Sequence, residues 1–188
     1  MGPVIVTPAT TYPVSTFEAQ VQTRSDDSYQ LNTLIAAATS YVEDYLGRSL
    51  MDQTWSLYLD GFSDSMILPK GPVKSVSSIT YTDINGATQT LSTSVYAFDS
   101  SSDPQQIVLN PGQSWPLTQM TANAVMTANV VKITYLAGYA TVPPSICMAI
   151  KFLISQWYDN RTPFSERVPT ELPNTVAALL ANHRAFGF

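Results

Sequence analysis

Residues 28–59 read SYQLNTLIAAATSYVEDYLGRSLMDQTWSLYL, and the hydrophobic period changes inside this stretch. Up to position 46, Leu31, Leu34, Ile35, Ala38, Val42, Tyr45 and Leu46 recur at steps of three and four. That is the period of a helix with one apolar face. Gly47 follows as a C-cap, because glycine takes the left-handed conformation that commonly ends helices. From Gln53 the step drops to two: Trp55, Leu57 and Leu59 alternate with more polar neighbours, the pattern of a half-buried strand. A helix that hands over within six residues to a strand predicts a mixed architecture.

Working outward, the block from 52 to 140 stays in the strand register. Met66–Leu68, Val76–Thr82, Ala87–Leu91, Val95–Phe98, Ile107–Leu109 and Val130–Leu136 are short apolar or alternating runs separated by Pro- and Gly-containing turns. Asn85-Gly86 between two of them is a hairpin signal, since both residues tolerate positive φ. Outside the block the period returns to that of helices. Ser15-Thr16-Phe17-Glu18 fits a capping box ahead of a short helix to about Thr23. Asp26-Asp27-Ser28 opens the helix of the quoted stretch. Pro143-Pro144-Ser145 suits a first turn, followed by a stripe of Ile146, Ala149, Ile150, Leu153 and Trp157. Residues 162–173 read as a Pro-containing loop, and Asn174 caps a last helix with Val176, Leu179 and Leu180 inward. The expected class is α+β: helices near 16–23, 28–46, 144–160 and 174–182 around an inserted antiparallel β block at about 52–140. Residues 1–14, with three prolines, read as an extended arm whose Val4–Val6 adds to a sheet edge. Residues 15–188 are expected to form one domain: a helical core (15–48 and 142–182), the β insertion, and a C-terminal tail (183–188).

Composition narrows the function. The 188 residues carry a formal net charge of −5, and only 12% are Asp, Glu, Lys or Arg against a usual ~25%. A folded chain so poor in charge either solvates itself with Ser, Thr, Asn and Gln or hides surface in an assembly. The helix of the quoted stretch concentrates the question: residues 28–42 hold no charge, and Asn32, Thr33, Ala36, Ala37, Thr39 and Ser40 on its other side are small or neutral. Solvated helix backs normally carry Lys and Glu. Thr33, Ala36, Ala37 and Ser40 are therefore candidate inter-subunit contacts; the alternative is a helix packed on both sides within its own domain. The acidic balance and scattered Lys and Arg argue against tight nucleic-acid binding, which needs clustered cations. A single cysteine, Cys147, excludes an internal disulfide, and with one histidine it makes a zinc site improbable. No apolar run approaches the ~20 residues that span a bilayer and no signal peptide is visible, so a cytoplasmic origin is expected.

Catalytic constellations are missing. His183 stands beside Asn182 and Arg184 with no nucleophile motif elsewhere. Asp99 and Asp103 in a Ser-rich loop lack the twelve-residue calcium pattern and read as a solvated turn. No phosphate-cradling glycine motif occurs, so no catalytic, cofactor or metal residue is assigned and no enzyme is expected. Trp55 and Trp157 fall in phase with apolar stripes, as core. Trp115, in the loop Pro111-Gly112-Gln113-Ser114-Trp115-Pro116, is either a contact residue, as in a carbohydrate-binding module, or a plug over the core.

The order of segments resembles the head–tail connector (adaptor, head-completion) family of tailed bacteriophages. The carrying pieces run from Leu34–Ala38 with Tyr41–Arg48, through Gln53-Thr54-Trp55, Leu59–Phe62, Leu68–Val73 and Pro111–Pro116, to Ile133–Tyr139, Val142-Pro143, Trp157–Arg161, and Leu179-Leu180 followed by Arg184 and Phe188. The likeness covers roughly residues 15–188; the arm at 1–14 departs from it. It implies a non-enzymatic ring of about twelve copies docked under the portal protein. The ring would extend a channel through which DNA passes without specific binding, and would carry the next neck or tail protein. It also implies a place at the head–tail interface of the virion after assembly in the host cytoplasm, with no membrane and no cofactor. Another neck or tail-completion protein is the nearest alternative. Arg184, Phe186 and Phe188 become candidate portal contacts, and removing residues 182–188 is expected to abolish that binding and spare the fold.

Overall fold

The computed structural model describes residues 2–24, 27–118, 128–159 and 174–185. Their local signals become the elements expected. Ser15 caps α1 (Thr16–Thr23) in a complete capping box: its hydroxyl accepts from the Glu18 amide, and the Glu18 side chain reaches back to the Ser15 amide. Asp27 caps α2 (Ser28–Leu46) by accepting from the Gln30 amide, and Gly47 ends it at φ 66°. α3 (Pro144–Asp159) starts on the second proline, and α4 (Asn174–Leu180) runs into a 3₁₀ turn at Ala181–His183. Asp26 and the loop at 162–173 lie outside the described residues.

Eight strands are described: β1 (Val4–Thr7), β2 (Gln53–Leu59), β3 (Ser65–Ile67), β4 (Val73–Thr82), β5 (Thr88–Thr90), β6 (Tyr96–Asp99), β7 (Gln106–Leu109) and β8 (Val131–Ala137). They form two antiparallel sheets, one ordered β1-β2-β8-β4-β5 and one ordered β3-β7-β6. β8 alternates strictly, with Val131, Ile133, Tyr135 and Ala137 buried, and Leu57 and Ile79 flank Ile133 across the ladder. Central strands bury such rows because β-branched side chains pack well on a pleated surface. Tyr135 is buried whole yet donates its hydroxyl to the Pro69 carbonyl at 2.8 Å, which satisfies the polar end of an otherwise apolar core. Burial pushes its phenol pKa well up. The β4–β5 turn carries the expected glycine at positive φ, and Asp83 organises it: its carboxylate accepts from the Asn85 and Ala87 amides and from the Gln89 side chain.

The described chain falls into two compact units. Residues 1–8 and 52–138 make the β unit; residues 9–51 and 139–188 make the helical unit. The helical core gathers Leu31, Ile35, Ala38, Val42 and Leu46 of α2 with Ile146, Ile150, Leu153 and Ile154 of α3 and Val176 and Leu180 of α4. Burying such side chains contributes about 1.5–3 kcal/mol each before chain entropy is set against it. The N-terminal residues reach into the β unit, where β1 is the edge strand.

Lys151 of α3 ties α1 to the bundle by donating to Glu18 at 2.6 Å. That bond, with those from Ser15, holds the Glu18 carboxyl down to about 2 from 4.5. A lowered carboxylate pKa stabilises the fold fully above pH 4.5, and the contribution is lost as pH falls towards 2. Glu18→Gln is therefore expected to cost up to about 1 kcal/mol at pH 7, limited by solvent screening. Thermal melts should show the gap between variant and native chain closing as pH approaches 2.

Candidate assembly surfaces

α2 presents two faces of different chemistry. Leu31, Ile35, Ala38 and Val42 point into the bundle, while Thr33, Ala37 and Ser40 are exposed and Ala36 is half-buried. The four candidate contact residues thus share an outward, uncharged surface. Thr39 departs from expectation: it is 5% exposed, and its hydroxyl donates to the Ile35 carbonyl at 2.7 Å. Polarity alone put it on the outward side, but a threonine that bonds its own helix backbone can enter a core at little cost. Thr33 makes the same kind of bond to Tyr29 on the outside. Tyr29, one turn earlier, is 85% exposed.

Two further exposed apolar pairs went unread in the sequence. Phe17 (71% exposed) and Val21 lie four apart on α1, and Met148 and Phe152 lie four apart on α3. An i, i+4 spacing puts each pair on one stripe of its helix. The signal was present, but the same spacing also marks core. Only the burial of Ala19 on α1, and of Ile146, Ile150 and Leu153 on α3, shows which stripe is inside.

The C-terminal segment is held by three contacts. The Arg48 side chain, 9% exposed, donates through Nε to the His183 carbonyl at 2.9 Å. The His183 ring nitrogen Nε2 lies 2.8 Å from the Ser145 hydroxyl, and the Ala185 amide donates to the Leu46 carbonyl at 2.8 Å, next to the end of α2. Arg184 is exposed, with its guanidinium 5.4 Å from the Tyr45 ring centroid. Phe186 and Phe188 lie outside the described residues. These contacts weigh against the expectation that residues 182–188 can be removed without cost to the fold, because His183 and Ala185 fasten helix ends. The Ser145–His183 pair, which the sequence separation hid, joins the first turn of α3 to the 3₁₀ turn.

Other candidate chemistry resolves locally. Asp99 accepts from the Ser101 amide and hydroxyl and from Gln106, so its loop satisfies its own carboxylate, which sits at about 2. Among the described residues no three His, Cys, Asp or Glu side chains gather as a metal site. No described helix is long and apolar enough to cross a membrane. Cys147 is half-buried, its thiol pushed up by burial and directed at the Pro13 carbonyl. Trp115 stacks on Phe62 at 4.9 Å with planes 2° apart, and Phe62 meets Tyr81 edge-on. With one ring face covered by Phe62, Trp115 is a plug against the β core rather than an open platform for a sugar. Trp55 and Trp157 pack against their cores only half-buried, and Lys70 lies over the Trp55 ring.

A family model described as "Head completion protein" matches residues 13–186. No curated protein matches the chain. Solved structures do. A chain of the neck of an empty gene transfer agent (GTA) particle, computed with C6 symmetry, is 17% identical with a TM-score of 0.78. A chain of the virion of the native GTA particle is 18% identical at 0.77, and one from the native neck computed with C12 symmetry is 19% identical at 0.71. Each comparison covers 100% of this chain and 97% of the other, so the fold is shared over its whole length.

Proposed function

The chain belongs to the head completion protein family, and from that premise we propose that it is a head–tail connector subunit, working as a ring in the neck of a phage or phage-like particle. The observation that carries the reading is the outward face of α2, with no charge from residue 28 to 42 in a folded, charge-poor chain. A closed ring uses heterologous contacts, in which one surface of each copy meets a different surface of the next. The helical unit offers two unlike surfaces: the small, neutral back of α2 (Thr33, Ala36, Ala37, Ser40) and the apolar stripes of α1 and α3 (Phe17, Val21, Met148, Phe152). Burying the second against the first would remove exposed apolar area without stranding a charge.

In the full reading, about twelve copies close the ring and both units act together as one connector domain, with residues 1–14 as an added arm. The ring docks on the portal protein through Arg184, Phe186 and Phe188, and its other end receives the next neck or tail protein. Genome DNA passes through the lumen, where a net charge of −5 per chain disfavours retention of phosphates. The protein performs no catalysis, uses no cofactor, and joins the virion after assembly in the host cytoplasm.

The test is electron microscopy of a lysate from particles lacking this gene. Full or leaking heads beside separate, finished neck or tail parts are expected. Intact infectious particles would remove the connector reading.

A further inference from the structure

We infer that copies in the ring are also joined through the β unit, by pairing of the β1 edge of one copy with the β5 edge of the next. This rests on the ring reading and adds a second, independent seam to it. The larger sheet ends in β1 on one side and β5 on the other, and among the described residues each is paired along one edge only. They are also the only two described strands with every residue exposed. Val4, Ile5 and Val6 are 49%, 43% and 54% exposed, a β-branched apolar run that its own chain leaves in water on both faces.

Sheet edges that stay open in solution are guarded by charge, internal proline or a bulge, because an open row of amides and carbonyls templates another strand. β1 (VIVT) and β5 (TQT) hold no charge and no proline; Pro3 and Pro8 flank β1 without entering it. The one guard is a register shift between Ile5 and Thr7. It keeps the regular part of β1 short, in proportion to the three residues of β5.

The occupant is a second copy of this chain because the two edges answer each other. β1 against β1 would give a closed twofold pair and stop; β1 against β5 uses each edge once per copy, as a heterologous ring requires. The chemistry fits, since Val and Ile packing beside Thr88 and Thr90 is a favourable β-branched pairing with no charge to desolvate. A sheet of five strands spans about 24 Å at about 4.8 Å per strand, so twelve edge-paired copies would run about 290 Å around, wide enough to leave a channel.

The test uses particles assembled with a Cys147→Ser chain carrying Ile5→Cys together with Thr88→Cys, Gln89→Cys or Thr90→Cys. All four new cysteines replace exposed residues. Disulfides need Cα atoms about 4.4–6.8 Å apart, a spacing that paired strands supply in one register of the three. After mild oxidation, a non-reducing gel is expected to show a ladder of covalent multimers for one pair and none for Ile5→Cys alone. Particles that contain the protein but give no ladder in any register would overturn the edge pairing and leave the ring standing. Cross-linking of Ile5→Cys to a different particle protein would also overturn it. Particles that form without incorporating the protein would overturn the ring reading and this inference together.

Discussion

A single Ala37→Glu substitution is expected to stop the subunits assembling while leaving the chain folded. Ala37 is exposed on α2, where Glu is a good helix former, so the stability of the isolated chain should move by no more than about 0.5 kcal/mol. In a ring the same carboxylate would be buried against the apolar stripes of a neighbour, where Lys151, the cation beside them, is already paired with Glu18. An uncompensated buried charge costs about 3–5 kcal/mol, which is at least a hundredfold in affinity at each seam. Ala37→Ser, which adds only a hydroxyl that the helix backbone can satisfy, is the control that should still assemble. Circular dichroism and sedimentation of both variants check the prediction. Rings formed by Ala37→Glu would place the helical seam elsewhere.

The second large effect separates two truncations. Removing residues 182–188 takes away the His183 carbonyl from Arg48, the His183 ring from Ser145 and the Ala185 amide from Leu46. A hydrogen bond to a buried charged group contributes about 1.5–3 kcal/mol, and neutral ones about 1 kcal/mol each. The melting temperature is therefore expected to fall by about 10 °C at roughly 2–4 °C per kcal/mol for a chain of this size. Removing only residues 186–188 spares all three contacts and should leave the melting temperature within about 2 °C. If Phe186 and Phe188 anchor the ring, the shorter truncation alone abolishes binding to the portal. Binding that survives it would confine the contact to residues before 186. The longer truncation cannot make that distinction, because it damages the helical unit as well.

Much of this protein is written in local patterns. The bounds of α1 and α2, the capping box at Ser15, the glycine end at Gly47, the β4–β5 turn and the seven strands between 52 and 138 were all legible from periodicity and turn chemistry. These signals act within a few residues, so the order of amino acids contains them completely. The uncharged back of α2 was legible for the same reason, since a helix repeats its faces every 3.6 residues whatever it packs against.

What tertiary structure alone decided are matters of partner and side. Polarity groups Thr39 with Asn32, Thr33 and Ser40, yet it lies four residues after Ile35 and three before Val42, and the packing of α2 buries it with its hydroxyl bonded to its own backbone. Phe17 with Val21 and Met148 with Phe152 have the spacing of core residues and prove to be surface, because the bundle uses the opposite stripe of each helix. Arg48 and His183, 135 residues apart, meet because the chain leaves the helical unit for the β unit and comes back, a closure no local signal encodes. The N-terminal arm showed β propensity but not which edge it would take, and sheet order placed it beside β2 with no further strand on its outer side among the described residues. Sequence by itself determined the order and type of the elements, the bounds of α1 and α2 and which faces lack charge, because those depend on neighbours in the chain; β4, read from Val76, begins at Val73, where pairing with β8 extends it. Which of those faces is buried, and which strands form the sheet edges, depended on neighbours in space.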